Sequence, residues 1–422
     1  MKAICFVAAL VVAFVGCATA DPLILKNATV LDMNSERVQS GMIVRIDDGF
    51  IQHIGPAGSG LEDAEGSVVV DAEGKFLIPG LWDMHAHFSY YGEEALGLLV
   101  GHGVLAARDP GCRLDQIDGW RDEIARGERI GPRIIRSGPF IDGPKALSPL
   151  RASFTRVVRT ETEGRAVVHE LKELGVDFLK THSRVPRAAF FAVADEARKL
   201  GLPLVVHVSK DVSVWEAVQA GALTIEHTES FLGDSIYLDD EQLMETRMQE
   251  AFEALSTPTG KERLAQVAEC DIWITPTLIA HMRGYRNHES PFWRAFPDRL
   301  LQVLKTMVDV NMPLLAGSDF NFPAGPIRPG ADLHGELALF VKAGLTPYEA
   351  LKTATVNAAE ASGLAASHGT IDIGKRADLV LLDGNPFEDI GNTRRISAVI
   401  LGGAFLNEPR LLALRGKAQA SN

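Results

Sequence analysis

Eight short apolar runs recur through the middle of the chain, around Leu81-His85, Val104-Arg108, Arg133-Ser137, Val176-Lys180, Leu202-Val208, Ala222-His227, Asp271-Leu278 and Pro313-Asp319. A short continuous apolar run bounded by turn residues reads as a strand buried on both faces, because such a strand lacks the polar alternation of a half-exposed one. Between the runs lie stretches with apolar residues at helical spacing, such as Arg187 to Leu200 and Leu333 to Ala343. Strand and helix in alternation build parallel βα units, and eight strands is the number that closes a barrel. The expected fold is therefore α/β, a (β/α)8 TIM-like barrel. The Pro- and Gly-rich stretch Pro323 to Gly330 reads as a loop after the last strand.

Both ends of the chain have a different texture. From Leu23 to about Val70, short alternating segments (LILKNATVLD, GMIVRIDDGFIQHIG, SVVVDAEGK) read as strands joined by turns. Near the C-terminus, Gly374 to Leu382 and Ala398 to Gly403 look like two more. Each piece is too thin to be stable alone, so the two are expected to pair into one small β-sandwich. The expected division is an export signal over 1–20, sandwich over 21–76, barrel over 77–368, and the second part of the sandwich over 369–422.

The signal is read from Lys2, the apolar stretch Ala3 to Val15, and the small residues Ala18-Thr19-Ala20 before Asp21-Pro22. Its apolar core is too short to span a membrane permanently. The protein is thus expected to be exported, either periplasmic or secreted. Val15-Gly16-Cys17 resembles a lipoprotein processing site, with Phe14 where leucine is usual, so anchoring at Cys17 is the less favoured alternative. Of four cysteines, only Cys112 and Cys270 would survive processing, which excludes a disulfide framework and leaves their pairing open. With 46% apolar and 23% charged residues the composition is that of a globular enzyme. The formal charge of -13, spread along the chain without a basic run, argues against a nucleic-acid partner. Loss of residues 1 to 20 would remove Lys2 and no acid, making the mature chain one charge more negative.

In such a barrel the chemistry is built at the C-terminal ends of the strands. The polar side chains that end these runs are His85, His87, Lys180, His207, His227 and Asp319. His85 and His87, two residues apart in an extended segment, project to the same side and can offer two neutral nitrogens to one divalent ion. Each residue alone has a structural reading: a hydrogen-bonded core histidine, a snorkelling lysine, a helix cap. Six such coincidences at successive strand ends would be needed to explain the set that way.

These residues carry a family resemblance. His85-Ala86-His87, Lys180 in Val176-Asp177-Phe178-Leu179-Lys180, His207 in Val205-Val206-His207, His227 in Ile225-Glu226-His227 and Asp319 in Gly317-Ser318-Asp319 resemble, in that order, the metal-dependent amidohydrolase superfamily. Pro79-Gly80, Leu333-His334-Gly335-Glu336-Leu337 and Gly374-Lys375-Arg376-Ala377-Asp378 extend the likeness, which is closest to the prolidase-like and imidazolonepropionase-related branch. The resemblance implies two divalent metal ions, with His85, His87 and Asp319 on one, His207 and His227 on the other, and a carboxylated Lys180 bridging them. Zinc fits the imidazole and carboxylate set best; manganese, cobalt and iron are alternatives. It also implies hydrolysis of an amide C-N bond by a metal-activated hydroxide, with Asp319 moving the proton.

The substrate expected from the prolidase-like likeness is a dipeptide or an N-acyl amino acid. Its free carboxylate would need a cation such as Arg184 or Arg283, and His281 could polarise the scissile carbonyl. Glu226 is expected behind the ligands rather than among them. His334 and Glu336 are expected to brace nearby loops. The alternatives are a cyclic amide, imide or lactone substrate and, outside enzymes, a metal-free interaction protein on the same fold; a homo-oligomer is compatible with any of these.

Overall fold

The computed structural model describes residues 21–58, 66–144, 154–285, 287–320 and 327–416. The export signal read at residues 1–20 lies outside the described residues, as do residues 323–326 of the expected loop. The N-terminal segment forms strands β1 (Leu23–Asp32), β2 (Arg37–Asp47), β3 (Phe50–Pro56), β4 (Val68–Asp71) and β5 (Phe76–Pro79). The turn from β2 to β3 is only Asp48-Gly49, both at positive φ (51° and 78°). That pair of left-handed residues matches the twist of a two-residue hairpin, which fixes the antiparallel register Asp47 to Phe50.

The middle of the chain supplies parallel strands. β6 (Leu81–Asp83), β7 (Val104–Asp109) and β8 (Arg133–Arg136) form one parallel sheet. β9 (Phe140–Asp142), β10 (Thr155–Val157), β11 (Leu179–Thr181), β12 (Leu204–Val206), β13 (Thr224–Glu226) and β14 (Trp273–Thr275) form a second, in the order β10-β9-β11-β12-β13-β14. Helices return the chain between strands. The helix over Arg187–Leu200 has the span its spacing predicts and buries Ala189, Phe190, Val193 and Ala197. Burying a side chain such as Phe190 stabilises by about 1.5–3 kcal/mol.

The eighth apolar run, Pro313-Asp319, forms no ladder of its own. It is bound on each side by two backbone bonds: Ile274 N donates to Pro313 O at 2.9 Å and Leu315 N to Ile274 O at 2.9 Å on one flank, Met84 N to Ala316 O at 2.8 Å and Asp319 N to His85 O at 2.7 Å on the other. At the other seam, between β8 and the segment entering β11, Asp177 N donates to Arg136 O at 3.0 Å. The fold is thus α/β with parallel sheets of TIM-like character; a continuously hydrogen-bonded closed sheet is not seen among the described residues. β9 and β10, and a C-terminal strand over Ala404–Asn407, were not expected from the sequence.

The C-terminal segment adds β15 (Leu379–Leu382), β16 (Ile396–Leu401) and β17 (Ala404–Asn407). β15 pairs antiparallel with β5, from Leu379 opposite Pro79 to Leu382 opposite Phe76. The two chain ends therefore meet, as expected, but hydrogen bonds run through all eight terminal strands as one sheet. This sheet shelters its own apolar core, including Leu25, Val44, Ile51, Leu77, Leu379 and Ile400. Cys112 is buried and Cys270 half-buried, and both are free thiols. No helix among the described residues is long and apolar enough to cross a membrane.

Candidate metal centre

Strand ends bring the site together. Just past β6, His85 and His87 are 1% and 6% exposed. Asp83, two residues before His85, accepts hydrogen bonds from the amides of His85 (3.2 Å) and Ser318 (2.9 Å) and from the Ser318 hydroxyl (2.5 Å). Burial nevertheless pushes the Asp83 carboxyl up to about 7. Asp319 N donates to His85 O at 2.7 Å, so the end of the eighth run is pinned against the first. Three residues here hold positive φ without being glycine: His227 (68°), Thr277 (50°) and Asp319 (43°). Such backbone costs on the order of 1–3 kcal/mol per residue and survives only where surrounding contacts enforce it.

The side chains then converge. His87 Nε2 lies 3.4 Å from Asp319 Oδ1, His85 Nε2 4.0 Å from the same oxygen, and His227 Nδ1 4.0 Å from Oδ2. One ligand atom each from His85, His87 and Asp319 fits within a span of 4.8 Å. The His227 ring centroid is 4.7 Å from that of His85 and 4.9 Å from that of His207. Lys180, on β11, is 1% exposed, and its charge acts on both His85 and His227. Burial first, then Lys180 and the neighbouring imidazoles, hold His85 well below the usual histidine range. His227 is lowered in the same way, by burial and then by His85, His207 and Lys180. A neutral imidazole is the form that donates a lone pair to a cation.

A surrounding layer fixes which nitrogen does so. Glu226 Oε2 bonds His85 Nδ1, which leaves Nε2 directed at Asp319. Glu226 is itself held by Arg108, whose Nη2 donates to Oε1 at 2.7 Å while Nε donates to Met84 O at 2.7 Å. The Tyr237 hydroxyl donates to Val208 O at 2.5 Å and lies 3.0 Å from His207 Nε2; having spent its proton, it accepts from His207 and so places that imidazole's hydrogen on Nε2. His227 Nδ1 is 2.8 Å from Thr277 Oγ1, and His87 Nδ1 is 3.7 Å from buried Asp109. Carboxylate and hydroxyl partners of this kind orient metal-binding histidines.

The remaining expected residues have separate placements. His281, on the helix Leu278–Tyr285, lies 2.8 Å from Glu229 through Nε2. Burial acts to lower this imidazole, but Glu229 and, more weakly, Asp319 outweigh it, so the net shift is upward. The half-buried Arg184 carries its guanidinium 5.6 Å above the ring of Tyr237. Arg283 departs from expectation. Its side chain is 5% exposed, paired with fully buried Asp332, and donates to Asp319 O at 3.1 Å, so it points into the protein instead of toward a substrate. Glu336 accepts from the amides of Leu278 (2.9 Å) and Ile279 (2.7 Å), bracing the helix that carries His281. His334 bonds Thr393 at 2.9 Å and the carbonyl of His102 at 3.0 Å.

Sequence reasoning passed over Asp83, Arg108, Asp109, His182, Glu229 and Tyr237. Some signals were there. Asp83 shares the alternation of His85 and His87, and Arg108-Asp109 end an otherwise apolar strand. His182 follows Lys180 by two residues on the same strand edge and stacks on His207 at 4.5 Å.

Comparison with known proteins agrees with this geometry. The ochratoxinase of Aspergillus niger is 22% identical over 394 residues, covering 79% of this chain and 76% of that protein. The imidazolonepropionase of Symbiobacterium thermophilum is 25% identical over 387 residues, covering 83% and 85%. Among solved structures, a Xaa-Pro dipeptidase with methionine bound in its active site superposes with a TM-score of 0.71 at 21% identity, covering 92% of this chain and all of that one, which is a likeness of fold. Residues 76–406, the greater part of the chain, match the amidohydrolase family model. The chain belongs to the amidohydrolase family, hydrolases that act on carbon-nitrogen bonds.

Proposed function

We propose that this protein is an exported, binuclear metal-dependent hydrolase of a dipeptide or an N-acyl amino acid. The observation that carries the reading is the buried set of His85, His87 and Asp319, whose ligand atoms lie within 4.8 Å of one another. Neutral imidazoles beside a carboxylate are the donors a zinc-like cation takes. His207 and His227, with adjacent rings, would serve a second ion. Lys180 would serve both as a carbamate, because a lysine amine in its neutral form can add carbon dioxide and, on losing a proton to solvent, become an anion. Divalent ions held there would supply Lewis acidity and would lower the pKa of water from 15.7 toward about 7.

The chain's own residues do the rest. Asp319 takes the proton of the attacking water and returns it to the leaving nitrogen. His281, oriented by Glu229 through Nε2, donates a hydrogen bond from its other ring nitrogen to the scissile carbonyl oxygen as charge develops there. Arg184 is the cation for the substrate's free carboxylate, its guanidinium lying on Tyr237 beside His207. Arg108 and Glu226 keep His85 in place. The paired seam bonds of the Pro313-Asp319 segment support a closed eight-stranded barrel over 77–368, with 21–76 and 369–422 as the sandwich. Export to the periplasm or medium is read from residues 1–20. Homo-oligomerisation is compatible with this reading, and no nucleic acid is involved.

Metal analysis with a panel of Xaa-Pro, Xaa-Arg and N-acyl amino acid substrates, set against cyclic imides and lactones, tests the proposal. Turnover of the linear amides, abolished by a chelator and restored by zinc, is expected. Activity confined to the cyclic compounds would overturn the substrate assignment, and chelator-insensitive hydrolysis would overturn the metal.

A further inference from the structure

We propose that Arg283 and Asp332 are a positioning pair for Asp319, holding its backbone in the conformation that sends its carboxylate to the imidazoles. This rests on the metal-site reading above. Asp319 sits at φ 43°, a left-handed conformation that a residue with a Cβ avoids unless it is held there. On its N-terminal side the holding groups are plain: Ser318 is bound to Asp83, and the Asp319 amide to His85 O. Those bonds leave the Asp319 peptide oxygen unconstrained, and it is this oxygen that accepts from Arg283 Nη2 at 3.1 Å.

The same guanidinium reaches Asp332 through Nη1. Asp332 stands in the first turn of the helix Ala331–Ala343 and accepts the amide of Arg328 at 3.0 Å. One planar fork thus ties together the helix that carries His281, the helix that follows the loop, and the backbone of Asp319. Neither partner faces water, since Arg283 is 5% and Asp332 0% exposed in the side chain. A buried ion pair returns little net stability, because desolvating two charges costs about what their attraction recovers. What the pair does supply is direction. A guanidinium can hold a carboxylate and a carbonyl at once in fixed geometry, which the single ammonium of a lysine cannot. Without it, Asp319 is free to relax toward ordinary φ and swing its carboxylate away from His87.

Two variants separate this from a merely structural role. Arg283→Met combined with Asp332→Leu removes both charges while keeping apolar bulk, and Arg283→Lys keeps the charge but not the fork. Zinc affinity of the purified proteins, read by competition with a chromogenic chelator, is expected to fall about 10–100-fold in both. On a substrate that the wild type hydrolyses, kcat should fall about 10–100-fold with KM within about threefold, since a displaced carboxylate impairs the reacting step more than the binding. Folded variants with wild-type zinc affinity and kcat overturn the proposal. Loss of the fold in both assigns the pair to the core and overturns it equally. A wild-type protein that takes up no zinc defeats the metal reading and the clamp together, whereas zinc uptake undiminished in the variants defeats the clamp alone.

Discussion

The rim of the parallel strands and the outer helical face hold the same kinds of residue under opposite conditions. On the outside, Arg165 pairs with Asp195 and Glu196, Lys199 with Asp195 at 2.8 Å, and Arg187 with Glu216. Hydrogen bonds from Lys199 and Arg165 hold Asp195 down to about 2, and those from Arg187 and Ser213 hold Glu216 down to about 2. These groups lie at the surface, from Lys199 at 54% to Glu196 at 13% side-chain exposure, where such pairs contribute little. At the rim, burial pushes the other way: Asp83 is raised to about 7 while His85 and His227 are lowered. The lesson is that counting charges says nothing about function. What marks the rim is charge that the interior resists, kept in place by second partners such as Arg108 on Glu226 and Asp83 on Ser318.

That contrast can be broken or sharpened by substitution. The largest effect is expected at Asp319→Asn, which would remove the proposed proton carrier and one proposed ligand: kcat/KM should fall about 10²–10⁴-fold, and a variant within a fewfold of wild type would erase the distinction between rim and surface. Lys180→Ala should lose both metal and activity, with partial recovery when a short carboxylic acid is added. Full activity without additive would remove the carbamate bridge. Glu226→Gln leaves Arg108 without its carboxylate and loosens His85. A loss of about 3–5 kcal/mol in stability and about 10–100-fold in metal affinity should follow, measurable by denaturant titration and metal competition.

A smaller effect concerns pH. Burial raises Glu336 to about 8, against the lowering action of the Ile279 and Leu278 amides. The native state then binds this proton more tightly than the unfolded chain, so the associated stability is full below the unfolded value of 4.5 and drains away as pH rises toward about 8. Wild-type melting temperature should therefore decline relative to Glu336→Gln between about pH 5 and pH 9; parallel curves would place the carboxyl in a less restrictive setting. Least of all is expected from Asp195→Asn on the outer face. Its activity should match wild type and its melting midpoint should lie within about 2 °C, and a larger change would mean that the surface network matters more than its exposure implies.

Much of this contrast could be read in the chain before folding. The helix Arg187–Leu200 followed from apolar spacing, and the strand ends picked out His85, His87, Lys180, His207, His227 and Asp319, because a polar side chain closing an apolar run is a local signal. Strand length was harder to read: β6, β11, β12, β13 and β14 each pair over only three residues. Apolar character continues past the last paired residue, so the run alone overstates strand length. Partners distant in sequence were not legible at all. Arg283 looked like a substrate cation because Asp332, 49 residues further on, meets it only in the folded molecule. The same holds for Arg108 and Glu226, which are 118 residues apart and come together across three strands.

A binuclear centre is tested most directly by the metal content of the wild-type protein, purified without chelators and measured by elemental mass spectrometry beside its amide hydrolysis. It predicts about two divalent ions per chain, with activity lost and regained as they are removed and returned. A protein that hydrolyses the same amides with no bound metal would contradict it.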